Sequence, residues 1–123
     1  MNKLAFIGFA LMGVAACTQH AHADRAYDVC SNNVQLHEDQ LECNASAIAR
    51  TNKSLNDSWK ALSPSVRKNL LVSERAWIAQ TNKSCDRYLN ENSYGEMGQD
   101  MFTGCQVDAA EKRNKYLSNF RNK

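Results

Sequence analysis

Apolar residues recur along the chain at intervals that predict long amphipathic helices. Between residues 41 and 62 the apolar positions are three, four or seven residues apart, which aligns them on one side of a helix. These positions are Leu41, Ala45, Ile48, Leu55, Trp59 and Leu62. Ser63 and Pro64 then form a helix start, because serine caps the first N–H groups and proline needs no N–H partner there. This break predicts a tight turn between two antiparallel helices.

The second predicted helix runs from Pro64 to about Cys85. Its inward-facing residues are Val66, Leu70, Trp77 and Ile78, and Leu71, Val72 and Ala76 broaden that face. Glu74 is three residues from Trp77 and therefore lies at the edge of the buried side. We expect Trp77 to be the main core aromatic residue, Glu74 to bond to a neighbouring helix and Cys85 to anchor the helix end.

A glycine-containing segment separates the second helix from a third. Residues 86–104 hold three of the five glycines and no sustained apolar period, which predicts a loop with at most a helical turn near residues 99–102. The third helix begins at Phe102 or Cys105 and ends at Phe120, with an apolar side formed by Cys105, Ala109, Tyr116, Leu117 and Phe120. The predicted fold class is all-α: a small three-helix antiparallel bundle with two disulfides and one long loop between helices two and three.

The first residues have the features of an export signal. Lys3 precedes an apolar and glycine run from Leu4 to Ala16, which is too short for a membrane-spanning helix and ends at Cys17. The sequence around Cys17 resembles a bacterial lipobox, which predicts cleavage after residue 16 and lipidation of Cys17. The alternative is cleavage after Ala23, within an Ala-x-Ala site.

These features divide the chain into three parts. Residues 1–16, or alternatively 1–23, form the signal peptide, residues 17–29 a tether, and residues 30–123 a single helical domain. We expect an exported, periplasmic protein that is anchored to a membrane by a lipid on Cys17. The alternative is a soluble periplasmic or secreted protein.

The charge balance argues against nucleic acid as a partner. Removal of residues 1–16 takes away Lys3 and no acid, so the formal net charge falls from +2 to +1. The charges are interspersed and form no basic stripe to compete for phosphates. A membrane is therefore expected to be a partner only through the lipid anchor.

The cysteines indicate a disulfide-bonded domain in an oxidising compartment. The five cysteines are Cys17, Cys30, Cys43, Cys85 and Cys105, and the last four remain as an even set when Cys17 is acylated or removed. Four cysteines allow three connectivities, and the sequence alone does not choose among them. We predict the short-range pairs Cys30–Cys43 and Cys85–Cys105, the second of which closes a loop worth about 3 kcal/mol in a chain-entropy model.

Catalytic and metal-binding motifs are weak. His20 and His22 lie in the tether or the removed peptide, which leaves His37 without an obvious nucleophile. The carboxylates of Glu38, Asp39 and Glu42 cluster at a helix start, where negative charge complements the helix dipole. The cysteine spacing fits no metal motif. We therefore expect no enzyme activity, no catalytic residue, no metal and no cofactor.

Several motifs together resemble the LprI-type lysozyme inhibitor family, which includes the YecT-like small exported bacterial proteins. The resemblance rests on Cys30 and Cys43, on "LNDSWKAL" (55–62), on "LLVSERAW" (70–77), and on Cys85 and Cys105 with Arg113 and Leu117. Its helical motif residues are Leu55, Trp59, Leu70, Glu74, Arg75 and Trp77. Glu74 replaces a usual glutamine, and Thr81-Asn82 replaces a frequent Arg-Asp pair.

The resemblance implies a helical, disulfide-bonded protein that inhibits lysozyme. We expect it to bind and occlude a peptidoglycan-cleaving enzyme, with a lysozyme or another peptidoglycan hydrolase as its protein partner. The alternative is a non-inhibitory envelope interaction or immunity-type module with another protein partner. The loop between Cys85 and Cys105 is the expected contact surface, because a tethered loop loses little entropy on binding. Its anchor-type residues are Arg87, Tyr88, Tyr94, Met97 and Phe102.

Overall fold

The structure, a computed structural model, describes residues 24–122. Within this range the chain forms four α-helices and one short 3-10 helix, and no helix there has the length and apolar character needed to cross a membrane. The helices are α1 (Arg25–Asn33), α2 (His37–Lys60), α3 (Pro64–Asn90) and α4 (Gly98–Ser118), and the 3-10 helix spans Asn92–Met97. The signal peptide, the lipidation site Cys17, and His20 and His22 lie outside the described residues.

Helix α1 corrects the expectation of a three-helix bundle, and it begins at Arg25, within the residues expected to form a tether. Asp24 caps the helix by accepting a 3.0 Å hydrogen bond from the Tyr27 N–H, and Tyr27 is only 3% exposed. The Cys30–Cys43 disulfide fastens α1 to α2. A polar helix of nine residues is too short to be stable alone, so its order depends on this burial and cross-link.

Helix α4 is the centre of the fold. It packs extensively against α2 on one side and α3 on the other, whereas α2 and α3 hardly contact each other. The buried residues of α4 are Thr103, Gly104, Val107, Ala110 and Leu117, together with Gly98 at its first position. Those of α2 are also mostly small: Cys43, Asn44, Ala47, Thr51 and Ser58. Small side chains allow two helices to approach closely, so α2 and α4 form the core of the domain.

The predicted apolar stripe of α2 is not its buried side. Leu41 is 40% exposed, and Ile48, Leu55 and Trp59 are only half-buried, whereas Ala47 is fully buried. On α3, Cys85 is the one buried residue, Ile78 is 46% exposed and Val72 is 80% exposed. The expectation that Trp77 is the main core aromatic is wrong, because the buried aromatic ring is Tyr27. Trp77 is half-buried.

A buried polar network connects α1, α2 and α4 around Asn44, which is 1% exposed. Its side-chain oxygen accepts hydrogen bonds from Tyr27 Oη at 2.9 Å and Gln40 Nε2 at 3.0 Å. Its side-chain nitrogen donates to Asp100 Oδ1 at 2.8 Å. Buried amides are retained in a fold only when their bonds are satisfied, so this network fixes the position of α1 on the bundle.

The predicted long loop is mostly helical. Residues 86–90 complete α3, residues 92–97 form the 3-10 helix, and α4 begins at Gly98 rather than at Phe102 or Cys105. Disulfides join Cys30 to Cys43 and Cys85 to Cys105, as predicted. The second disulfide and the packing of the 3-10 helix against α3 and α4 order a segment whose glycines, taken alone, predict a loop.

Candidate functional site

The residues predicted to contact a partner lie around the corner between α3 and α4. We name residues 87–97 the corner segment. In it the Tyr88 and Tyr94 rings meet edge to face, with centroids 4.9 Å apart. The Arg87 guanidinium lies 4.9 Å from the Tyr88 ring centroid, and Arg87 Nη2 donates to Tyr94 Oη at 3.4 Å. The exposed Arg87 and the half-buried Tyr88 and Tyr94 therefore form a single surface cluster.

Two glycines shape this corner. Gly95 has φ +54°, a conformation that L side chains rarely adopt, and it turns the chain inside the 3-10 helix. Gly98 lies directly against the Tyr88 backbone, because a Cβ at this position would overlap the Tyr88 carbonyl oxygen. This contact and the Cys85–Cys105 disulfide hold the end of α3 against the start of α4. The cluster is consequently pre-ordered before any partner binds.

The other two predicted contact residues lie outside the Arg87–Tyr88–Tyr94 cluster. Met97 ends the 3-10 helix and is 66% exposed, so it offers an apolar side chain at the edge of the corner segment. Phe102 is half-buried on α4, beyond the corner segment. The structure thus groups three of the five predicted residues. Sequence spacing places Arg87 and Tyr88 seven and six residues from Tyr94 and gives no sign of the contact.

Arg87 provides the positive charge of the cluster. The pKa of the Arg87 guanidinium is raised above its ordinary value, first by charge interaction with Tyr94 and then by Tyr88. An arginine is a cation at neutral pH without any such shift, so Arg87 can offer its fork of N–H donors to a carboxylate. Across residues 24–122, no group of three or more His, Cys, Asp or Glu side chains is placed to hold a metal ion.

A second surface feature lies between α2 and α3, where the two long helices diverge over α4. We name it the α2–α3 groove. It has a volume of about 580 Å³ and is bordered by Leu55 and Trp59 from α2 and by Leu71, Trp77 and Ile78 from α3. The sequence does not predict this groove, since apolar stripes on two helices are expected to pack against each other rather than to face each other across a gap.

Five of the six family-motif residues border this groove rather than fill the core. Leu55, Trp59, Glu74, Arg75 and Trp77 all line it, and Leu70 is half-buried on α3. Thr81 and Asn82, which stand where the resemblance leads us to expect an Arg-Asp pair, also line it. Gln106 Nε2 donates to Asn82 Oδ1 at 3.4 Å and links α4 to α3 there.

The predicted bond of Glu74 to a neighbouring helix is present. Arg113 Nε on α4 donates to Glu74 Oε1 at 2.8 Å, with the two side chains 10% and 12% exposed. Arg113 also stacks on the Tyr116 ring at 4.4 Å and lies 5.4 Å from the Trp77 ring centroid. Trp77 additionally borders a wider cleft of about 810 Å³ that includes Asp28, Asp100 and Asp108.

Comparison with known proteins identifies the family. The family described as Lysozyme inhibitor LprI matches residues 30–117, which include all four disulfide cysteines and both helical motifs. No curated protein and no solved structure matches the chain. The match covers well over half of the sequence and agrees with the helical fold and the two disulfides. The chain therefore belongs to the LprI lysozyme inhibitor family.

Proposed function

We propose that the protein is an exported lysozyme inhibitor that acts by binding and carries out no catalysis itself. The family match over residues 30–117 is the observation that carries this proposal. The partner is a lysozyme or another peptidoglycan hydrolase. In this proposal residues 1–16 direct export, and a lipid on Cys17 holds the inhibitor at a periplasmic membrane surface, where such an enzyme would attack the cell wall.

The corner segment is the surface that we assign to inhibition. Lysozyme-type enzymes cleave glycans with a pair of carboxyl groups in a sugar-binding cleft. An arginine fork can pair with a carboxylate, and tyrosine rings can occupy the space of sugar rings. Arg87, Tyr88 and Tyr94 supply these groups from one cluster, and Met97 adds an apolar contact at its edge.

Pre-ordering supports this assignment. The Cys85–Cys105 disulfide, the close approach of Gly98 to Tyr88 and the edge-to-face ring contact limit the motion that binding would have to remove. Each side chain immobilised on binding costs about 0.5–1.5 kcal/mol, so a cluster that is already ordered binds more tightly than a free loop with the same residues.

The test is a lytic assay on cell-wall substrate with a panel of lysozymes. We expect the double variant Arg87→Ala/Tyr94→Ala to raise the inhibitor concentration for half-inhibition by about 100-fold, the effect of losing two central contacts. The control is Arg121→Ala, an exposed arginine just beyond the far end of α4, about 30 Å from the corner. Unchanged inhibition by the double variant would remove the corner segment as the inhibitory surface.

The second candidate function is an envelope interaction or immunity-type module with another protein partner. One observation favours it: the α2–α3 groove exposes an apolar, tryptophan-lined surface that the proposed inhibition does not use. An exported protein from the same host that binds the mature chain, with no lysozyme slowed, would support this candidate over inhibition.

A further inference from the structure

The α2–α3 groove has large apolar side chains on both of its walls, half-buried on α2 and exposed on α3. Leu71 is 38% exposed and Ile78 is 46% exposed on α3, and they face Leu55 and Trp59 of α2 across the gap. Clustered exposed apolar residues mark interaction surfaces more often than isolated ones do. The groove is concave, and its α3 wall, residues 71–82, is about 16 Å long. That length matches about three turns of an α-helix.

The charge around the groove restricts its partner. Residues 60–83 contain five basic residues and a single acid, Glu74, which Arg113 already neutralises. Arg75 lies exposed on the groove wall, and no carboxylate within residues 24–122 forms an ion pair with it. A second copy of this chain would bring like charges together. A partner with acidic residues beside its apolar row would instead be complementary.

We infer that the α2–α3 groove binds a helical segment of a partner protein that has apolar residues on one face and acidic residues beside them. Its apolar side chains, spaced three and four residues apart, insert between the Leu55–Trp59 wall and the Leu71–Ile78 wall. An acidic residue of the segment pairs with Arg75. This binding does not require the corner segment and does not depend on lysozyme inhibition.

The protein contains its own reporter for this binding. Its two tryptophans, Trp59 and Trp77, both line the groove, so an occupant changes their fluorescence. Trp77 also borders the wider cleft on its other side. The variant Trp77→Phe therefore leaves Trp59 as the single tryptophan and makes the signal specific to the groove.

The experiment titrates two designed peptides into the mature Trp77→Phe protein. Each peptide has about 14 residues with leucine at helical spacing, and its other positions are glutamate in one peptide and lysine in its twin. We expect saturable quenching or a spectral shift of Trp59 with the glutamate peptide. Its binding should be at least about 10-fold tighter than that of the lysine peptide at low salt, and this ratio should fall as salt screens the charges.

Matched variants locate the site. Leu71→Asp should weaken binding of the glutamate peptide by about 10-fold or more, whereas Val72→Asp should change it by less than about twofold. Val72 is the neighbouring residue, is 80% exposed and does not line the groove. The substitution Val72→Asp therefore adds the same charge outside the groove. Likewise, Arg75→Glu should weaken binding more than Lys68→Glu. Circular dichroism melts establish that each variant is folded.

Three results would overturn the inference. The first is equal binding of the two peptides, or no response of Trp59 to either. The second is an equal effect of the Leu71 and Val72 substitutions. The third is a Trp59 shift with phosphatidylglycerol vesicles or with self-association, but not with the glutamate peptide. Because the peptide titration involves no lysozyme, its failure leaves the proposed inhibition intact, and a failed lytic assay leaves the groove intact.

Discussion

Glu74 and Arg113 join α3 to α4 through an ion pair that is largely shielded from water. Its N–O distance is 2.8 Å, and Arg113 is further held by stacking on Tyr116. The Lys53–Asp57 pair is different, because its side chains are 77% and 59% exposed. Exposed pairs contribute little to stability, whereas loss of one partner of a shielded pair leaves an uncompensated charge.

Substitution of Glu74 should therefore be costly. We expect Glu74→Ala to lower the free energy of unfolding by roughly 2–4 kcal/mol, because Arg113 stays shielded without its partner. Glu74→Gln should cost less than half as much, since an amide oxygen still accepts the Arg113 hydrogen bond. Denaturant unfolding measures both changes. Asp57→Asn serves as the control and should stay within about 0.5 kcal/mol; a loss as large as that of Glu74→Ala would contradict the account.

Tyr27 gives the fold a dependence on alkaline pH. Burial, followed by the charge of Asp100, raises the pKa of the Tyr27 hydroxyl above 10.0. A raised pKa of an acidic group favours its protonated form in the folded state. Its contribution to stability is therefore complete below pH 10.0 and is lost as the pH rises through the folded-state pKa.

The variant Tyr27→Phe should isolate this effect. At pH 7 it should be less stable than the native chain by about 1 kcal/mol, because Asn44 loses the hydrogen bond from the Tyr27 hydroxyl. Above pH 10.0 that difference should shrink, since only the native chain then pays to keep the hydroxyl protonated. The measurement is the free energy of unfolding of both proteins at pH 7 and at several pH values above 10.0. Parallel curves for the two proteins would show that Tyr27 titrates as it does in the unfolded chain.

At the scale of the helices, the corner between α3 and α4 depends on one close backbone contact. Gly98 starts α4 so near to the Tyr88 carbonyl that a side chain cannot fit without a shift of one helix. We expect Gly98→Ala to cost about 2–3 kcal/mol of stability and to weaken lysozyme inhibition by moving Tyr88 and Tyr94. Denaturant unfolding and the lytic assay measure these effects.

The control for this prediction is Ser93→Ala, an exposed position in the 3-10 helix that precedes Gly98, which should change stability by less than about 0.5 kcal/mol. A Gly98→Ala protein with native stability would mean that the two helices are not held in contact at Tyr88.

The sequence predicted where helices begin better than it predicted which side of each helix is buried. Ser63 and Pro64 located the start of α3, because capping chemistry is local. The buried side of α2 did not follow from its large apolar residues, because α4 packs against Ala47, Thr51 and Ser58 instead. Close packing of small residues is a property of two helices together. The same reason explains why the α2–α3 groove was not expected.

In the 86–104 segment, glycine content alone did not predict the structure. Its glycines predict a loop, and Gly95 does turn the chain with a positive φ. Gly98 acts in the opposite way, because its missing side chain lets α4 begin against α3. Composition cannot distinguish a glycine that breaks a helix from one that lets two helices meet. The Arg87–Tyr88–Tyr94 cluster depends on that meeting, so its members were predicted singly and not as a group.

At the scale of the whole molecule, α4 supports two separate surfaces. The corner segment carries an arginine–tyrosine cluster beside a disulfide, and the α2–α3 groove carries apolar walls in a basic surrounding. The net formal charge of the chain, +2, conceals this local segregation. We therefore propose that one small domain binds two chemically different protein partners, one at each surface.

We propose that this chain inhibits a lysozyme through a disulfide-ordered surface. The most direct measurement titrates the purified mature protein against a panel of lysozymes in a lytic assay, once oxidised and once after reduction of both disulfides. We predict that at least one lysozyme is slowed at near-stoichiometric inhibitor, and that reduction raises the required concentration by about 10-fold or more, because the corner segment loses its cross-link. Full lytic activity of every lysozyme at a high molar excess of the oxidised protein would contradict the claim.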